Sequence, residues 1–321
     1  MTADASPGGR DLDLVVLGDV NPDILVVGGR PEFGQHEVLV EAIAMTIGGS
    51  AAIMAAGAAR LGLRVALVGV VGRDPFGDYV LDALARRGVD TTHCRIDPAQ
   101  PTGATVVLTA GDDRAILTAT GAITDLGGDD VGPDLLRRTR HVHVASYFLQ
   151  PRLRADLPAI AARAREAGAT VSVDPNWDPS GAWDGGLMAL LPELDVVLPN
   201  EAEATRIARA STAEDAAARL QVDGSRPIVV VKRGVDGALA RGADGSISTV
   251  PAWPIEAVDA VGAGDAFDAG FLAAWLNGEP LGACLRFAAV CGALSTRAAG
   301  GVDGQATRDE VDAVLRTWLE R

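Results

Sequence analysis

The sequence predicts an α/β fold: a doubly wound, mostly parallel sheet flanked by helices, with a small β-sheet lid. Apolar runs of strand length alternate with alanine-rich amphipathic stretches along most of the chain. Two segments interrupt this alternation with strand-like runs and turn residues but no helix. We therefore expect one domain, residues 1–321, from which the lid extends.

The alternation begins with a buried strand and continues through the chain. The predicted elements are, in order, strand Leu12–Gly18, helix Ala51–Leu61, strand Val65–Val71, helix Tyr79–Arg87, strand His141–Ala145, helix Ala155–Ala167, strand Thr170–Asp174, strand Val196–Leu198, helix Glu201–Arg209 and strand Ile228–Val231. Gly62 and Gly88 follow two of these helices, as is typical of a helix C-terminus. From Ala263 onward the chain is predicted to be mainly helical, ending in the amphipathic stretch Arg308–Leu319.

The two interrupting segments, residues 23–47 and 102–120, are predicted to form the lid. Within them Val38–Val40 and Thr105–Thr109 are expected to be antiparallel strands. A small sheet inserted beside a doubly wound sheet commonly covers the carboxyl ends of the main strands, where ligands bind.

Charge and composition exclude several classes of protein. The chain carries 28 basic and 43 acidic residues, a net charge of −15, which disfavours binding to nucleic acid. No apolar run approaches the roughly 18–20 residues of a spanning helix, and residues 1–9 lack a signal-peptide pattern. The three cysteines have no metal-binding spacing. We expect a cytoplasmic protein without membrane partners.

The strongest motif is the run from Asp259 to Phe267, DAVGAGDAF. Small residues, Gly262, Ala263 and Gly264, lead into a helix whose first turn holds Asp265, and N–H groups at a helix start bind anions. A carboxylate there makes sense as a base that takes a proton from a hydroxyl attacking phosphorus. Taken alone, Asp265 is better explained as a carboxylate that stabilises the helix dipole.

A second glycine-rich run precedes the helix predicted from Ala51, and GRDPFG follows the next strand. With both runs in this order, the sequence resembles the ribokinase-like (PfkB-type) carbohydrate kinases nearly end to end. The resemblance implies that Asp265 is the catalytic base and that Gly262, Ala263 and Gly264 form an anion hole. It also implies that Asn21 and Asp23 bind sugar hydroxyls, although Asn21-Pro22-Asp23 alone predicts only a turn. The implied acceptor-binding residues are Asn21, Asp23, Gly48, Gly49, Ser50 and Ile53.

The resemblance also implies a site for ATP and Mg²⁺. Asn200 would face the nucleotide phosphates and Glu203 would hold Mg²⁺ through water, although both residues equally suit a helix N-terminus. Gly234 and Gly237 would let the backbone approach ATP. Lys232, the single lysine of the chain, lies at the head of this loop. Lys232 either binds phosphate, or its presence as the single lysine reflects only the lysine-poor composition of the chain.

Two departures from the family pattern concern the acceptor, and one agreement with it concerns a cation. Ile53 stands where many relatives carry a sugar-binding Asn, and Asp178 replaces the Arg of the pattern Asp-Pro-Asn-x-Arg, which argues against an anionic acceptor. Asp259 and the segment near Gly300 lie where relatives build a K⁺ site.

The sequence thus predicts an ATP-dependent kinase for a primary hydroxyl of a neutral sugar. A nucleoside kinase of the same fold, and a non-catalytic sugar-binding or regulatory relative, are the alternatives. A dinucleotide-dependent oxidoreductase is disfavoured because no Gly-x-Gly-x-x-Gly follows the first strand. The lid would either cover the site or form a homodimer.

Overall fold

The computed structural model describes residues 9–29, 34, 37–110, 113–222 and 226–319. In these ranges the strands are β1 (Leu12–Leu17), β2 (Asn21–Val27), β3 (Ala42–Gly48), β4 (Val65–Val68), β5 (Val70–Gly72), β6 (Val89–Asp90), β7 (Arg95–Asp97), β8 (Ala104–Ala110), β9 (Asp113–Ala119), β10 (Thr139–Val144), β11 (Thr170–Val173), β12 (Val196–Val197), β13 (Ile228–Lys232), β14 (Ala238–Arg241) and β15 (Ile247–Val250). The helices are α1 (Ser50–Arg60), α2 (Pro75–Arg86), α3 (Pro133–Arg138), α4 (Pro151–Glu166), α5 (Leu187–Leu190), α6 (Glu201–Ala208), α7 (Ala213–Leu220), α8 (Ala263–Leu276), α9 (Leu281–Ser295) and α10 (Arg308–Leu319).

Nine strands form the central sheet in the order β15-β14-β13-β12-β11-β10-β1-β4-β6. From β6 to β13 neighbouring strands are parallel, and β14 and β15 extend the sheet as antiparallel strands. The strands are short and almost fully buried because helices cover both faces. The predicted doubly wound, mostly parallel sheet is confirmed.

Alternate residues of each strand belong to two separate hydrophobic cores, one on each face of the sheet. In β1, Leu14 and Val16 pack in a core shared with α1, α8 and α9, whereas Val15 and Leu17 pack with α4, α6 and α7. This is the period of two expected for a strand with both faces covered. Both faces are therefore fixed, and the sheet holds the loops at its carboxyl edge in place.

Four further strands form the small sheet, in the order β3-β2-β8-β9. Its strands fall within the two predicted lid segments, apart from the start of β2 at Asn21 and the end of β3 at Gly48. Ile43 and Met45 on β3 and Leu117 on β9 are exposed on one face of this sheet. Asp23 lies on the opposite face, which is the face toward the glycines at the start of α1.

Two details of the lid prediction were wrong. Val38–Val40 is not a strand; the strand begins at Ala42, and residues 37–40 belong to the connection before it. Thr105–Thr109 lies in β8, which is antiparallel to β9 but parallel to β2. The small sheet is therefore mixed, because β2 and β8 belong to different crossovers that leave the central sheet in the same direction.

The predicted strand Val65–Val71 is interrupted at Gly69. The chain there passes from β4 in the central sheet to β5, which pairs with β7 in a separate two-stranded sheet. A side chain at Gly69 would meet the Gly18 carbonyl oxygen at 2.9 Å, so the switch occurs where two backbones approach closely. In the described ranges no helix is both long and apolar enough to cross a membrane.

Candidate active site

Five loops bring polar side chains together at the carboxyl edge of the central sheet. Asp19, Ser146, Asp174 and Asn200 follow β1, β10, β11 and β12, and Lys232 ends β13. Because the strands are parallel, these residues lie side by side at one edge. The N-termini of α1 and α8 point into the same region.

Helix α8 begins immediately after Gly262, whose φ of 72° is in the left-handed region that favours glycine. A Cβ at Gly262 would lie 2.6 Å from the Gly301 Cα, so the turn is also too crowded for a side chain. The Ala263 N–H donates to the Ala260 carbonyl oxygen, at 3.3 Å. The N–H groups of Gly264 and Asp265 are therefore the ones that the helix start leaves for an anion.

Asp265 is buried in the first turn of α8. Burial, reinforced by the negative charge of Asp174, raises the pKa of Asp265 well above its ordinary value, and a hydrogen bond with Ser50 acts in the opposite direction. The Ser50 hydroxyl in turn accepts a hydrogen bond from Asn176 Nδ2, at 3.0 Å. These contacts hold a carboxyl group of raised pKa beside two helix N-termini.

Lys232 lies beneath this helix start in a buried ion cluster. Its Nζ is 2.7 Å from Asp174 Oδ2 and 2.9 Å from Asp268 Oδ2. Although burial alone would lower the pKa of Lys232, the charges of Asp174 and Asp268 raise it. The Lys232 Nζ is also 3.6 Å from where a Cβ of Gly264 would lie. The single lysine thus neutralises carboxylates directly below the predicted anion hole.

Asn200 and Glu203 form the start of α6 as a capping box. The Asn200 backbone N–H donates to Glu203 Oε2 at 2.8 Å, and the Glu203 N–H donates to Asn200 Oδ1 at 2.9 Å. Asn200 Nδ2 donates to Glu203 Oε1, at 2.6 Å. Burial and the charge of Asp174 raise the pKa of Glu203 to about 7. The capping role considered from the sequence is confirmed, and both carboxylate oxygens of Glu203 keep further acceptor capacity.

The side of the cleft where the sequence predicts acceptor binding is formed by the start of the small sheet. Asn21 Nδ2 donates to Asp23 Oδ1 at 3.2 Å and to Thr105 Oγ1 at 3.3 Å. Burial, with repulsion from Asp19, raises the pKa of Asp23 to about 7. A Cβ at Gly48 would lie only 1.8 Å from Asp23 Oδ1, so the carboxylate occupies space that any larger residue would fill. Asn21-Pro22-Asp23 is therefore the start of a strand and not a plain turn.

Helix α1 begins at Ser50, after Gly49 at φ 84°. Asp19 accepts from the backbone N–H groups of Ser50 at 3.1 Å and Ala51 at 3.0 Å. One turn further, Ile53 packs against the glycines of the opposite wall: a Cβ at Gly301 would lie 2.5 Å from Ile53 Cδ1. Asp19 thus occupies the N–H groups of this helix, and Ile53 gives the cleft an apolar floor.

Asp259 connects two backbone segments beside the acceptor side. Its Oδ1 accepts from the Val261 N–H at 2.9 Å, and its Oδ2 accepts from the Gly300 N–H at 2.8 Å. Among the described residues there is no cluster of three or more His, Cys, Asp or Glu side chains with the geometry to hold a metal ion.

A cavity of about 440 Å³ opens beside the helix α8 start. Lys232, Gly234, Gly237 and Gly264, which are four of the five predicted nucleotide-binding residues, line it, whereas Asn200 is not among its lining residues. Its remaining walls are mainly apolar and include Trp253 and Phe267. An apolar cavity next to a helix N-terminus suits a ligand with a flat ring and an anionic chain.

Several residues of the site were not assigned a role from the sequence. These residues are Asp174 and Asp268, which form the ion cluster with Lys232, and Asp19, which accepts from the start of α1. Burial raises the pKa values of Asp19 and Asp268. The signal for Asp19 and Asp174 was present, because each directly follows a buried strand. Asp268 could have been found as the residue one helical turn after Asp265.

Asp178, which departs from the family pattern, is buried in the loop that follows β11. Asp178 accepts from the backbone N–H groups of Ser180 at 2.9 Å and Trp183 at 2.6 Å, so it stabilises its own loop. Trp177 is exposed and stacks on the Arg206 guanidinium, whereas Tyr147 is buried. These contacts give Asp178 a structural role.

The fold and this arrangement define the class: an α/β phosphotransferase in which a buried aspartate stands at a helix start between an acceptor cleft and a nucleotide-sized cavity. Residues 11–308 match the family model described as "pfkB family carbohydrate kinase". The chain therefore belongs to the pfkB family and is a carbohydrate kinase that uses ATP as the phosphoryl donor.

Similar proteins cover nearly the whole chain. An ATP-dependent ribose-1-phosphate kinase of Halopiger xanaduensis is 35% identical over 306 residues, 95% of this chain and 97% of the relative. A fructokinase of Klebsiella pneumoniae is 33% identical over 94% of this chain and 98% of its own length. An E. coli protein assigned as ribokinase II, in complex with ATP and Mg²⁺, superimposes with a TM-score of 0.84 at 26% identity, covering 95% of this chain and 99% of that chain.

Proposed function

We propose that this kinase transfers the γ-phosphoryl group of ATP to a primary hydroxyl of a neutral sugar. The observation that carries the proposal is the position of Asp265: a buried carboxyl group of raised pKa at a helix start, between the acceptor cleft and the nucleotide cavity. A base works best when its pKa is close to the operating pH, and burial moves an aspartate in that direction.

Asp265 takes the proton of the acceptor hydroxyl. The hydroxyl oxygen then forms a bond to the γ-phosphorus while the bond from that phosphorus to the β-phosphate oxygen breaks, which releases ADP. Negative charge on the transferred group is stabilised by the N–H groups at the start of α8, where Gly262, Ala263 and Gly264 form the anion hole. Among the N–H groups of this helix start, those of Gly264 and Asp265 are the donors, because the Ala263 N–H already has a partner.

The acceptor is bound by Asn21 and Asp23, with Gly48, Gly49, Ser50 and Ile53 forming the rest of its cleft. A carboxylate accepts hydrogen bonds from two neighbouring hydroxyls, which is the donor pattern of a sugar diol. Ile53 contributes only apolar contact, which suits the C–H face of a sugar. The similarity to a fructokinase supports a neutral acceptor.

ATP occupies the cavity lined by Lys232, Gly234, Gly237 and Gly264, with Asn200 near its phosphates. Mg²⁺ neutralises the phosphates of bound ATP, and the similar E. coli structure contains both. Glu203 fits a contact with Mg²⁺ through water, because both of its oxygens retain acceptor capacity. Asp259 would help to shape a K⁺ site through the backbone it connects.

A phosphorylated sugar is the second candidate for the acceptor. It is favoured by the name of the relative that is 35% identical to this chain, a ribose-1-phosphate kinase. The acidic residue at Asp178 weighs less against it than the sequence indicated, since that carboxylate is occupied by N–H groups of its own loop. A nucleoside acceptor is the third outcome to be tested.

The small sheet is the lid of this active site, and its exposed apolar face, which includes Ile43, Met45 and Leu117, is where a homodimer would form. Analytical ultracentrifugation of the wild type and of Ile43→Lys tests the dimer; a wild type that stays monomeric at 100 μM excludes it.

The protein acts in the cytoplasm.

The test of the function is ATP turnover with a panel of free sugars, sugar phosphates and nucleosides, with ADP release as the readout. We expect kcat/KM for one free sugar to exceed that for every nucleoside by at least about tenfold. A nucleoside as the best substrate would overturn the proposal, and a sugar phosphate as the best substrate would establish the second candidate.

A further inference from the structure

A second cavity, of about 450 Å³, lies outside the active site described above. It opens between the C-terminal end of α2, the edge strand β3 of the small sheet and residues 299–303. We call it the outer cavity. Leu25, Ile47 and Val302 form its apolar floor, and Arg86, Arg87 and Asp303 stand on its rim.

The rim of the outer cavity is positively charged. Arg86 and Arg87 are the last residue of α2 and the one that follows it, where the helix dipole stabilises cations. Asp303 is the only acidic side chain among the residues that line this cavity. Two adjacent guanidinium groups at the mouth of a partly apolar cavity provide the planar donors that bind a phosphate group.

Both arginines are available to a ligand at small cost. Arg86 is paired with Asp82, and Arg87 is 2.6 Å from Asp303, but Asp82 and Asp303 are about 63% and 62% exposed. Exposed ion pairs contribute only about 0–1 kcal/mol, so an incoming dianion can displace either carboxylate.

A single layer of chain separates the outer cavity from the acceptor cleft. A Cβ at Gly300 would meet Thr46 Cγ2 at 3.1 Å and Leu25 Cδ1 at 3.3 Å, on the side of the outer cavity. The Gly300 N–H donates to Asp259 in the other direction, and Gly301 packs on Ile53. A ligand in the outer cavity therefore contacts the segment that borders the acceptor.

We propose that the outer cavity is a binding site for the phosphate group of a phosphorylated small molecule, held by Arg86 and Arg87. Because residues 299–303 separate the outer cavity from the acceptor cleft, the phosphate belongs to a separate effector that acts through those residues. The binding claim stands on the outer cavity alone, and only the kinetic measurements below rest on the proposed sugar kinase activity.

The test compares two double variants. Arg86→Gln/Arg87→Gln removes the rim charges, and Arg137→Gln/Arg138→Gln is the matched control. The control pair also lies at the end of a helix, α3, and each arginine is paired with an exposed aspartate, Asp134 or Asp11. Binding of inorganic phosphate is measured by thermal shift, with a non-hydrolysable ATP analogue and Mg²⁺ present at saturation to fill the phosphate positions of the nucleotide.

We expect the dissociation constant for phosphate to rise at least tenfold in the Arg86/Arg87 variant and to stay within twofold in the control. Equal phosphate binding in all three proteins overturns the proposal. Steady-state kinetics then test whether phosphate bound there acts as an effector. Without phosphate, the Arg86/Arg87 variant should keep the wild-type kcat/KM for a free sugar, because the outer cavity does not contact the acceptor.

With phosphate present, kcat/KM for a free sugar changes in the wild type and in the control but not in the Arg86/Arg87 variant. If the protein turns over a sugar and bound phosphate has no such effect, the phosphate is an adventitious ion only, and the proposal is overturned. A protein with no turnover of any sugar would refute the proposed function and leave the phosphate-binding result standing, so the two failures are distinguishable.

Discussion

The floor of the cleft and its acceptor wall are built differently. The floor, which carries Asp265, Lys232 and Asp174, belongs to the central sheet and α8 and is buried within two hydrophobic cores. The acceptor wall is the small sheet, whose strands are buried near Asp23 but exposed further out, at Ile43 and Leu117. The floor is thus held rigidly, whereas the acceptor wall is attached mainly through its base. We infer that the floor sets the rate of the chemical step and that the small sheet sets affinity and specificity for the acceptor.

The largest effect is expected on the floor, for Asp265→Asn. An amide has the shape of the carboxyl group but takes up no proton, so kcat should fall by at least about 10³-fold while KM for the acceptor changes little. The melting temperature should not fall, because the substitution replaces a buried carboxyl group by a neutral one. A kcat within tenfold of the wild type would remove Asp265 as the base.

The next effect concerns the ion cluster of the floor. Lys232→Met leaves Asp174 and Asp268 buried without their cation, and breaking a buried ion pair costs about 3–5 kcal/mol in the free energy of unfolding. Arg165→Met is the control, because its pair with Glu193 is exposed and contributes about 0–1 kcal/mol. Urea denaturation measures both. Unchanged stability together with a raised KM for ATP would instead make Lys232 a phosphate ligand.

A smaller effect is expected on the acceptor wall, for Gly48→Ala. The new methyl group would overlap Asp23 Oδ1 and displace that carboxylate, so KM for the sugar should rise about tenfold or more with kcat reduced less. Gly132→Ala is the matched control, since a Cβ there meets nothing within 4 Å and φ is −67°. If kcat falls more than KM rises, the inference that the floor sets the rate and the acceptor wall sets the affinity is wrong.

The smallest effect is a pH dependence of stability from Asp23. Burial raises its pKa from 3.8 to about 7, so between these values the folded protein holds a proton that the unfolded chain releases. The contribution of Asp23 to stability is therefore present at low pH and is lost as pH rises toward 7, with a slope approaching about 1.4 kcal/mol per pH unit. The difference in unfolding free energy between Asp23→Asn and the wild type should vary in this way between pH 5 and 8. A constant difference would mean that Asp23 is ionised throughout.

Prediction from the sequence succeeded where the signal is local. The alternation of apolar strands and amphipathic helices located the central sheet, and DAVGAGDAF located a helix start with its aspartate, because both depend on residues close together in the chain. It failed for Val38–Val40, since a short apolar run has no strand partner until the register of the sheet is known. It also missed Asp268, whose ion partner, Lys232, comes from β13.

The sequence alone thus determined the fold class and the kinase family and singled out Asp265 as the predicted base, because these depend on periodicity and on one contiguous motif. Only the tertiary structure decided what Lys232 and Asp178 contact, because each is held by groups whose positions follow from packing. Only the tertiary structure placed Arg86 and Arg87 beside residues 299–303 around the outer cavity. Contacts between residues more than 200 positions apart arise when helices pack on a sheet, and no local pattern encodes them.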